Sequence, residues 1–260
     1  MLTTDFTNIR QILMTDPVWS AYALADLQPA FIPHTHWYVS QSADGDGLAL
    51  IFTALTPPIV VTVGPAAAVS TALAQAALPD QIFISAREEH YAPLAAFYDF
   101  GDRAHPMWRM TPTDTSKVTF PGLPGLVRLN MADSERLTQL YRYGGEFAPS
   151  FFEPYQLRDG VYFGIVATDG SLVAAGGTHI LERQVGIAAI GNIYTRPNQR
   201  GQGYGGAVFQ AIVATLVAEH FTNIFLNVDQ RNQGARKLYE RYGFAIYCPF
   251  LEGVGIKRVP

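Results

Sequence analysis

A glycine-rich segment from Arg200 to Gly205 has the composition of a loop that binds phosphate groups. It reads Arg-Gly-Gln-Gly-Tyr-Gly and lies between a predicted strand, 188–195, and a predicted helix, 204–219. Its three glycines permit left-handed turns that aim successive backbone N–H groups at one anion. The helix would add the positive end of its dipole, and Arg200 a full charge. We predict a pyrophosphate site, although a tight strand-to-helix turn can require the same residues.

The spacing of this loop argues against two common phosphate ligands. It lacks the Gly-Lys-Ser/Thr ending with which nucleoside triphosphate sites reach the outer phosphates and magnesium. It also lacks the G-x-G-x-x-G spacing of dinucleotide sites. ATP and NAD are therefore both disfavoured as ligands.

A second segment with a chemical signature runs from Asn232 to Phe244 and is predicted to be a short helix. Asn232 is placed to cap its start and Gly243 to end it. Four residues at helical spacing share one face: Ala235, Leu238, Tyr239 and Tyr242. Tyr239 therefore points inward, either as a reactive phenol or as a core aromatic residue whose hydroxyl is satisfied.

Together these segments resemble the two signatures of the GNAT superfamily of acyl-CoA-dependent N-acyltransferases. The Arg/Gln-x-x-Gly-x-Gly/Ala signature is matched by Arg200, Gly203 and Gly205. The Asn-x-x-Ala-x-x-x-Tyr-x-x-x-Gly-Phe signature is matched by Asn232, Ala235, Tyr239, Gly243 and Phe244. The preceding Tyr194-Thr195-Arg196-Pro197 is similar to the FR47-like and glycine acyltransferase-like branch. The resemblance covers about the last 135 residues and implies acetyl-CoA as the acyl donor.

The resemblance also implies roles for individual residues. The CoA pyrophosphate would be bound by the backbone of Arg200, Gly201, Gln202, Gly203, Tyr204 and Gly205. The pantetheine arm would lie along Ile193, Tyr194 and Thr195, where this strand splays from strand 223–228, with further contacts at Asn232 and Ala235. A backbone N–H near Ile193 would polarise the thioester carbonyl. Tyr239 would be the general acid that protonates the departing thiolate.

The general base that deprotonates the acceptor amine is less well marked in the sequence. Glu153 is our first candidate, because it lies in an aromatic segment that we expect to line the acceptor side; the alternative is a solvated or capping carboxylate. Glu146, Asp229 and His179 are further candidates. No covalent relay through Cys248 is expected, since it has no basic neighbour in the sequence.

The composition of the chain argues against several classes of binding partner. A net charge of −4 over 260 residues, without a basic stripe, argues against nucleic acid. The apolar stretch 48–63 is interrupted by two prolines, so no membrane helix is expected. The single cysteine and the absence of a signal-peptide pattern indicate the cytoplasm. His34 and His36 have metal-like spacing, but no third ligand is evident, and no metal is predicted.

The order of predicted elements indicates an α+β protein, of α/β-sandwich type, with two similar halves. The predicted parts are a domain at 1–118, a linker at 119–125 and a domain at 126–260. The first opens with one helix, 4–27. The second would have the GNAT fold, with a mixed, mostly antiparallel sheet flanked by helices. A shift of 142 residues aligns the two halves and places His90 on Asn232 and Phe97 on Tyr239. The first half is therefore predicted to be a degenerate GNAT-like copy that cannot hold CoA in the same way.

The function predicted from these observations is transfer of an acetyl group from acetyl-CoA to a primary amine. The amine would attack directly in a ternary complex and could belong to a small molecule or a peptide. Two alternatives are transfer of a longer acyl group and a non-catalytic acyl-CoA-binding regulatory protein. The sequence does not identify the amine, because the fold never fixes the acceptor.

Overall fold

The computed structural model describes residues 2–116, 118–149 and 152–258. Contacts divide the chain into two compact units, which we call unit 1 (Met1–Arg109 with Tyr247–Pro260) and unit 2 (Met110–Ile246). The predicted second domain runs from residue 126 to the end of the chain. In the structure, the residues from Tyr247 onward belong to unit 1, because their strand pairs with a strand of that unit.

The secondary structure alternates helices and strands throughout the chain. The helices are α1 (Phe6–Leu13), α2 (Ala21–Ala25), α3 (Ala66–Ala74), α4 (Tyr91–Ala95), α5 (Ser134–Tyr141), α6 (Tyr155–Asp159), α7 (Tyr204–Ala218) and α8 (Gln233–Arg241). The strands are β1 (Leu2–Thr3), β2 (Thr35–Ser42), β3 (Gly45–Phe52), β4 (Ile59–Val63), β5 (Gln81–Arg87), β6 (Tyr98–Asp99), β7 (Ala104–Pro112), β8 (Leu126–Arg128), β9 (Tyr162–Val166), β10 (Leu172–Glu182), β11 (Ile187–Thr195), β12 (Asn223–Asp229) and β13 (Phe244–Lys257).

Each unit contains a mixed sheet in which antiparallel pairing dominates. In unit 1 the strands lie in the order β1, β2, β3, β4, β5, and β4 and β5 are parallel. In unit 2 the order is β12, β11, β10, β9, β8, and β11 and β12 are parallel. The predicted α+β class, with a mixed sheet flanked by helices, is confirmed.

The predicted first helix, 4–27, is wrong as a single element. The Asp5 side chain accepts a hydrogen bond from the Asn8 N–H and caps α1, which ends at Leu13. The chain becomes helical again only at α2. Pro17 lies between the two helices, and a proline has no N–H to donate to the preceding turn.

Helix α7 is the element that positions the glycine-rich loop of unit 2. Its fully buried side chains include Val208, Phe209, Ile212, Val213 and Leu216. The helix packs against β9, β10 and β11. Burial of so much apolar surface is the main force that fixes a helix on a sheet. The first turn of α7 is thereby held just after the end of β11.

The two units share an order of elements. Each has three antiparallel strands, then a helix, a strand parallel to the third strand, and a further helix. A shift of 142 residues moves the bounds of β5 onto those of β12. It also places Gly101 on Gly243, and both glycines have positive φ angles, 52° and 81°. The alignment of the two halves is therefore matched by element boundaries and not only by residue types.

One partly buried acid in unit 1, Asp26, makes the stability of the protein depend on pH. The carboxyl of Asp26, at the end of α2, makes no hydrogen bond or ion pair with any residue that the structure describes. Burial raises its pKa from 3.8 to about 7. The folded state therefore favours the neutral acid. The contribution of the neutral Asp26 carboxyl to the free energy of unfolding is therefore complete below pH 3.8. This contribution is lost as the pH rises through about 7.

We expect Asp26→Asn to raise the free energy of unfolding at pH 8 and to change it little at pH 4. A pKa difference of one corresponds to about 1.4 kcal/mol, so the gain is at most about 4 kcal/mol. Urea denaturation of wild type and variant at both pH values measures it, with the exposed Asp102→Asn as control. A gain of the same size at pH 4 and pH 8 would contradict this explanation.

Candidate active site

The loop between β11 and α7 presents unpaired backbone amides. Gly201 and Gly203 have φ angles of 82° and 80°, and Gly203 begins α7 without a side-chain cap. The first bond of the helix runs from the Ala207 N–H to the Gly203 oxygen, 3.0 Å away. The amides from Gly201 to Gly206 donate to no group within the described residues. This is the arrangement of donors that an anion requires at a helix N-terminus.

The space above this loop is open. A Cβ atom added at Gly201 or Gly203 would meet no atom within 4 Å, and one added at Gly205 would lie 3.4 Å from the Thr195 hydroxyl. The Gln202 side chain is turned aside and donates to Gln199 at 2.9 Å. No other atom therefore crowds the Cβ positions of Gly201 and Gly203.

Arg200 adds positive charge at the edge of the same loop. The residue is exposed, and its Nε donates to the Thr195 carbonyl at 3.3 Å. That bond uses one of the five guanidinium N–H groups and leaves the terminal nitrogens for a ligand. The dipole of α7, a helix of 15 residues, has its positive end at the same place.

The strands β11 and β12 separate next to this loop. Their parallel pairing runs from Ile187 with Asn223 to Ile190 with Leu226 and stops there. Both strands continue, β11 to Thr195 and β12 to Asp229. The edge of β11 that contains Ile193, Tyr194 and Thr195 is thus unpaired towards β12 and offers its backbone to an extended ligand.

A β-bulge lies at the point where the two strands separate. Ala175 pairs with Tyr194 and Gly177 with Gly191, so two residues, Asn192 and Ile193, face the single Gly176. Asn192 has a φ of 56°, which is left-handed. A bulge leaves the extra residue outside the ladder of backbone hydrogen bonds. The family resemblance implies a backbone hydrogen-bond donor near Ile193, and the bulge next to it was not predicted.

The side chain of Tyr194 is buried in the protein interior. It is 3% exposed, and its hydroxyl donates to the Gly144 carbonyl at 2.7 Å. Its ring also meets Tyr141 edge to face, with the centroids 6.0 Å apart. Any contact of Tyr194 with an extended ligand would therefore be made by its backbone.

Tyr239 lies on α8 and is buried, with 7% of its surface exposed. The ring packs on Phe209 of α7, with the centroids 4.9 Å apart. The hydroxyl has no hydrogen-bond partner among the described residues. Burial raises the pKa of this phenol well above its ordinary value, which keeps it protonated at neutral pH.

Asn232 and Ala235 occupy the start of α8. The Asn232 side-chain oxygen accepts the Ala235 N–H at 3.1 Å, which is the predicted N-cap. The cap explains why asparagine suits this position without any ligand. Their contacts with CoA remain predictions.

Among the candidates for the general base, three carboxylates differ in their surroundings. Glu153 is exposed, and its side chain has no partner in the described part of the chain. Glu146 and Asp229 both pair with Arg231, at 3.4 and 2.6 Å. Glu153 is therefore the one candidate carboxylate without an ion pair in the described residues.

His179 has a different environment. It lies on β10, its Nε2 is buried without a partner, and a Cβ added at Gly191 would lie 2.3 Å from that nitrogen. Burial lowers the pKa of His179, and the Asn192 side chain partly opposes this. The imidazole is therefore neutral and packed against the backbone of β11.

The equivalent loop of unit 1 has a different structure. Gly64 follows β4 with a φ of 99°, and a Cβ added there would lie 2.4 Å from the Asp46 carbonyl. His90 is buried and bridges the Thr62 hydroxyl, at 2.9 Å, and the Gly64 carbonyl, at 2.8 Å. Helix α3 starts after Pro65, which has no N–H. Internal contacts therefore occupy the place where unit 2 is open.

Two further observations bear on ligands and partners. Within residues 2–116, 118–149 and 152–258, no group of three His, Cys, Asp or Glu side chains is arranged to hold a metal ion. His34 ends a short 3-10 helix and His36 lies on β2. None of the described helices has the length and apolarity needed to cross a bilayer.

A meander of antiparallel strands, a parallel fourth strand that splays from it and an open glycine loop at a helix start are the features of the GNAT fold. Residues 129–244 match the family described as "Acetyltransferase (GNAT) family". These residues, which lie within unit 2, therefore correspond to a GNAT acetyltransferase domain. None of the curated proteins matches the sequence significantly.

Solved structures agree with this assignment over nearly the whole chain. A putative GNAT-family acetyltransferase from Novosphingobium aromaticivorans is 19% identical, with a TM-score of 0.61, over 94% of this chain and 97% of that one. A GCN5-related N-acetyltransferase from Kribbella flavida is 18% identical, with a TM-score of 0.57, over 91% and 95%. A tandem GNAT protein of clavulanic acid biosynthesis is 14% identical, with a TM-score of 0.57, over 94% and 89%. At these identities the similarity shows the fold.

Proposed function

We propose that the protein transfers an acetyl group from acetyl-CoA to a primary amine. The amine nitrogen attacks the thioester carbonyl carbon directly, a C–N bond forms and the C–S bond breaks. Tyr239 gives its proton to the departing thiolate, and the amine proton passes to water or to Glu153. The observation that carries the proposal is the buried ring of Tyr239, whose hydroxyl has no hydrogen-bond partner among the described residues.

The same proposal assigns the acyl-CoA contacts to unit 2. The amides from Gly201 to Gly206, with Arg200, bind the pyrophosphate, and the open edge of β11 binds the pantetheine arm. Unit 1 is a degenerate copy of the fold that holds no CoA, because His90 and Asp46 fill its loop. We assign the protein to the cytoplasm, which suits the single free thiol of Cys248.

A panel of amines tests this function directly. Purified protein is mixed with acetyl-CoA and with amino acids, polyamines, aminoglycosides or short peptides, and free thiol is measured over time. Thiol release that depends on one class of amine, with an acetylated product in the mass spectrum, supports the proposal. Tight binding of acetyl-CoA without turnover on any amine would favour the regulatory alternative. Faster thiol release from longer acyl-CoA donors than from acetyl-CoA would favour transfer of a longer acyl group.

A further inference from the structure

Asn192 occupies an unusual conformation for its position in β11. Its φ of 56° lies in the left-handed region, and His220 is the only other described residue besides glycine with a positive φ. Asparagine tolerates this conformation better than most residues, but glycine tolerates it best. Something must therefore favour an asparagine side chain at the bulge.

The Asn192 backbone and side chain are both anchored from other elements. The Tyr141 hydroxyl, at the end of α5, donates to the Asn192 carbonyl at 3.0 Å. The side-chain Nδ2 of Asn192 donates to the Tyr162 hydroxyl of β9 at 3.1 Å. It also donates to the side-chain oxygen of Gln156, on α6, at 3.4 Å. Three elements that are distant in sequence thus converge on a single bulge residue.

Gln156 joins this network to the segment that contains Glu153. Its side-chain oxygen accepts the Glu153 N–H at 3.3 Å and the Tyr162 hydroxyl at 3.2 Å, as well as the Asn192 amide. The Gln156 oxygen accepts all three bonds, whereas its Nε2 is buried without a partner among the described residues. The residue is only 2% exposed, so water competes little for these bonds.

The bulge is also packed on its other side. The imidazole of His179 lies across Gly191, where a Cβ atom would be only 2.3 Å from Nε2. No charged side chain is among the described groups that face Asn192. Burial raises the pKa of Tyr141 and of Tyr162 and lowers that of His179, so all three are neutral at pH 7, and Gln156 does not ionise. A neutral surrounding avoids a fixed charge that would compete with the thioester carbonyl for a backbone N–H.

We propose that Asn192 is a positioning residue, held left-handed by Tyr141, Tyr162 and Gln156 so that the Ile193 N–H points at the thioester carbonyl. This inference rests on the proposed function, because it concerns the same acyl donor. Neither Asn192 nor its anchors need contact the substrate. They fix the direction of a donor whose value depends on preorganisation.

The variants Tyr162→Phe and Asn192→Gly test the proposal. Tyr162→Phe removes one anchoring oxygen and keeps the ring. Asn192→Gly keeps the left-handed backbone accessible and removes every side-chain anchor. Acetyl-CoA labelled with carbon-13 at the carbonyl is bound to each protein, and its infrared carbonyl band is compared with that of the free thioester. Tyr143→Phe is the control, since this tyrosine is 54% exposed and is not an anchor.

We expect the band to move to lower wavenumber in wild type and in the control, and to return towards the free value in both variants. The CoA dissociation constant should stay within about twofold, and kcat should fall about 10-fold, less than the about 100-fold that loss of an oxyanion donor costs. If Asn192→Gly does not fold, Tyr162→Phe decides alone. An unchanged band in a variant that binds acetyl-CoA overturns the positioning role and leaves the proposed function intact. No binding by wild type would overturn both.

Discussion

Tyr239→Phe lowers kcat for acetyl transfer about 100-fold or more and leaves the dissociation constant of acetyl-CoA within about twofold. The substitution keeps the ring that packs on Phe209 and removes only the hydroxyl. General acid catalysis contributes about 100- to 10,000-fold, and the variant loses it. Because the hydroxyl has no protein partner within the described residues, its removal leaves no group unsatisfied and should not destabilise the fold.

Tyr242→Phe is the matched control for this experiment. Tyr242 lies one turn further along the chain, and its ring also meets Phe209, with the centroids 5.8 Å apart. We expect this variant to turn over acetyl-CoA at nearly the wild-type rate. Steady-state kinetics on the best amine, with melting temperatures for both variants, give the comparison. Equal rates for Tyr239→Phe and wild type would show that the Tyr239 hydroxyl takes no part in the reaction.

Arg200→Glu weakens acetyl-CoA binding about 10- to 100-fold. A hydrogen bond to a charged group contributes about 1.5–3 kcal/mol, and the new carboxylate would also repel the pyrophosphate. The fold should be little affected, since Arg200 is exposed and makes one bond, to the Thr195 carbonyl. Calorimetric titration with acetyl-CoA at low and high salt measures the effect, and the difference from wild type should shrink as salt screens the charges.

The control for charge is Arg241→Glu, which makes the same change at an exposed arginine of α8. Its affinity for acetyl-CoA should equal that of wild type. If both variants lose affinity equally, the effect would reflect net charge and not a site at the loop. If neither does, the pyrophosphate lies elsewhere.

The glycine loop, the N-cap at Asn232 and the end of α8 near Gly243 could be predicted from sequence because each is local. A glycine with positive φ, a capping side chain and a helical spacing all act within a few residues. The splay of β11 from β12 followed from the resemblance, and the pairing stops at Ile190, as that expectation requires.

The network around Asn192 could not be predicted because its members are distant in sequence. Tyr141, Gln156 and Tyr162 meet at Asn192 only when four elements have packed. The one local signal was an asparagine after a glycine inside an apolar strand, which is typical of a bulge. The break in the predicted helix 4–27 has a local signal, because Pro17 lies between α1 and α2.

The central claim is that one open loop, in unit 2, holds acyl-CoA. Calorimetric titration of the wild-type protein with acetyl-CoA tests it most directly. We predict saturable binding with a stoichiometry of one per chain, because the loop of unit 1 is filled by its own residues. A stoichiometry of two would contradict the closed loop of unit 1, and no binding would contradict the site itself.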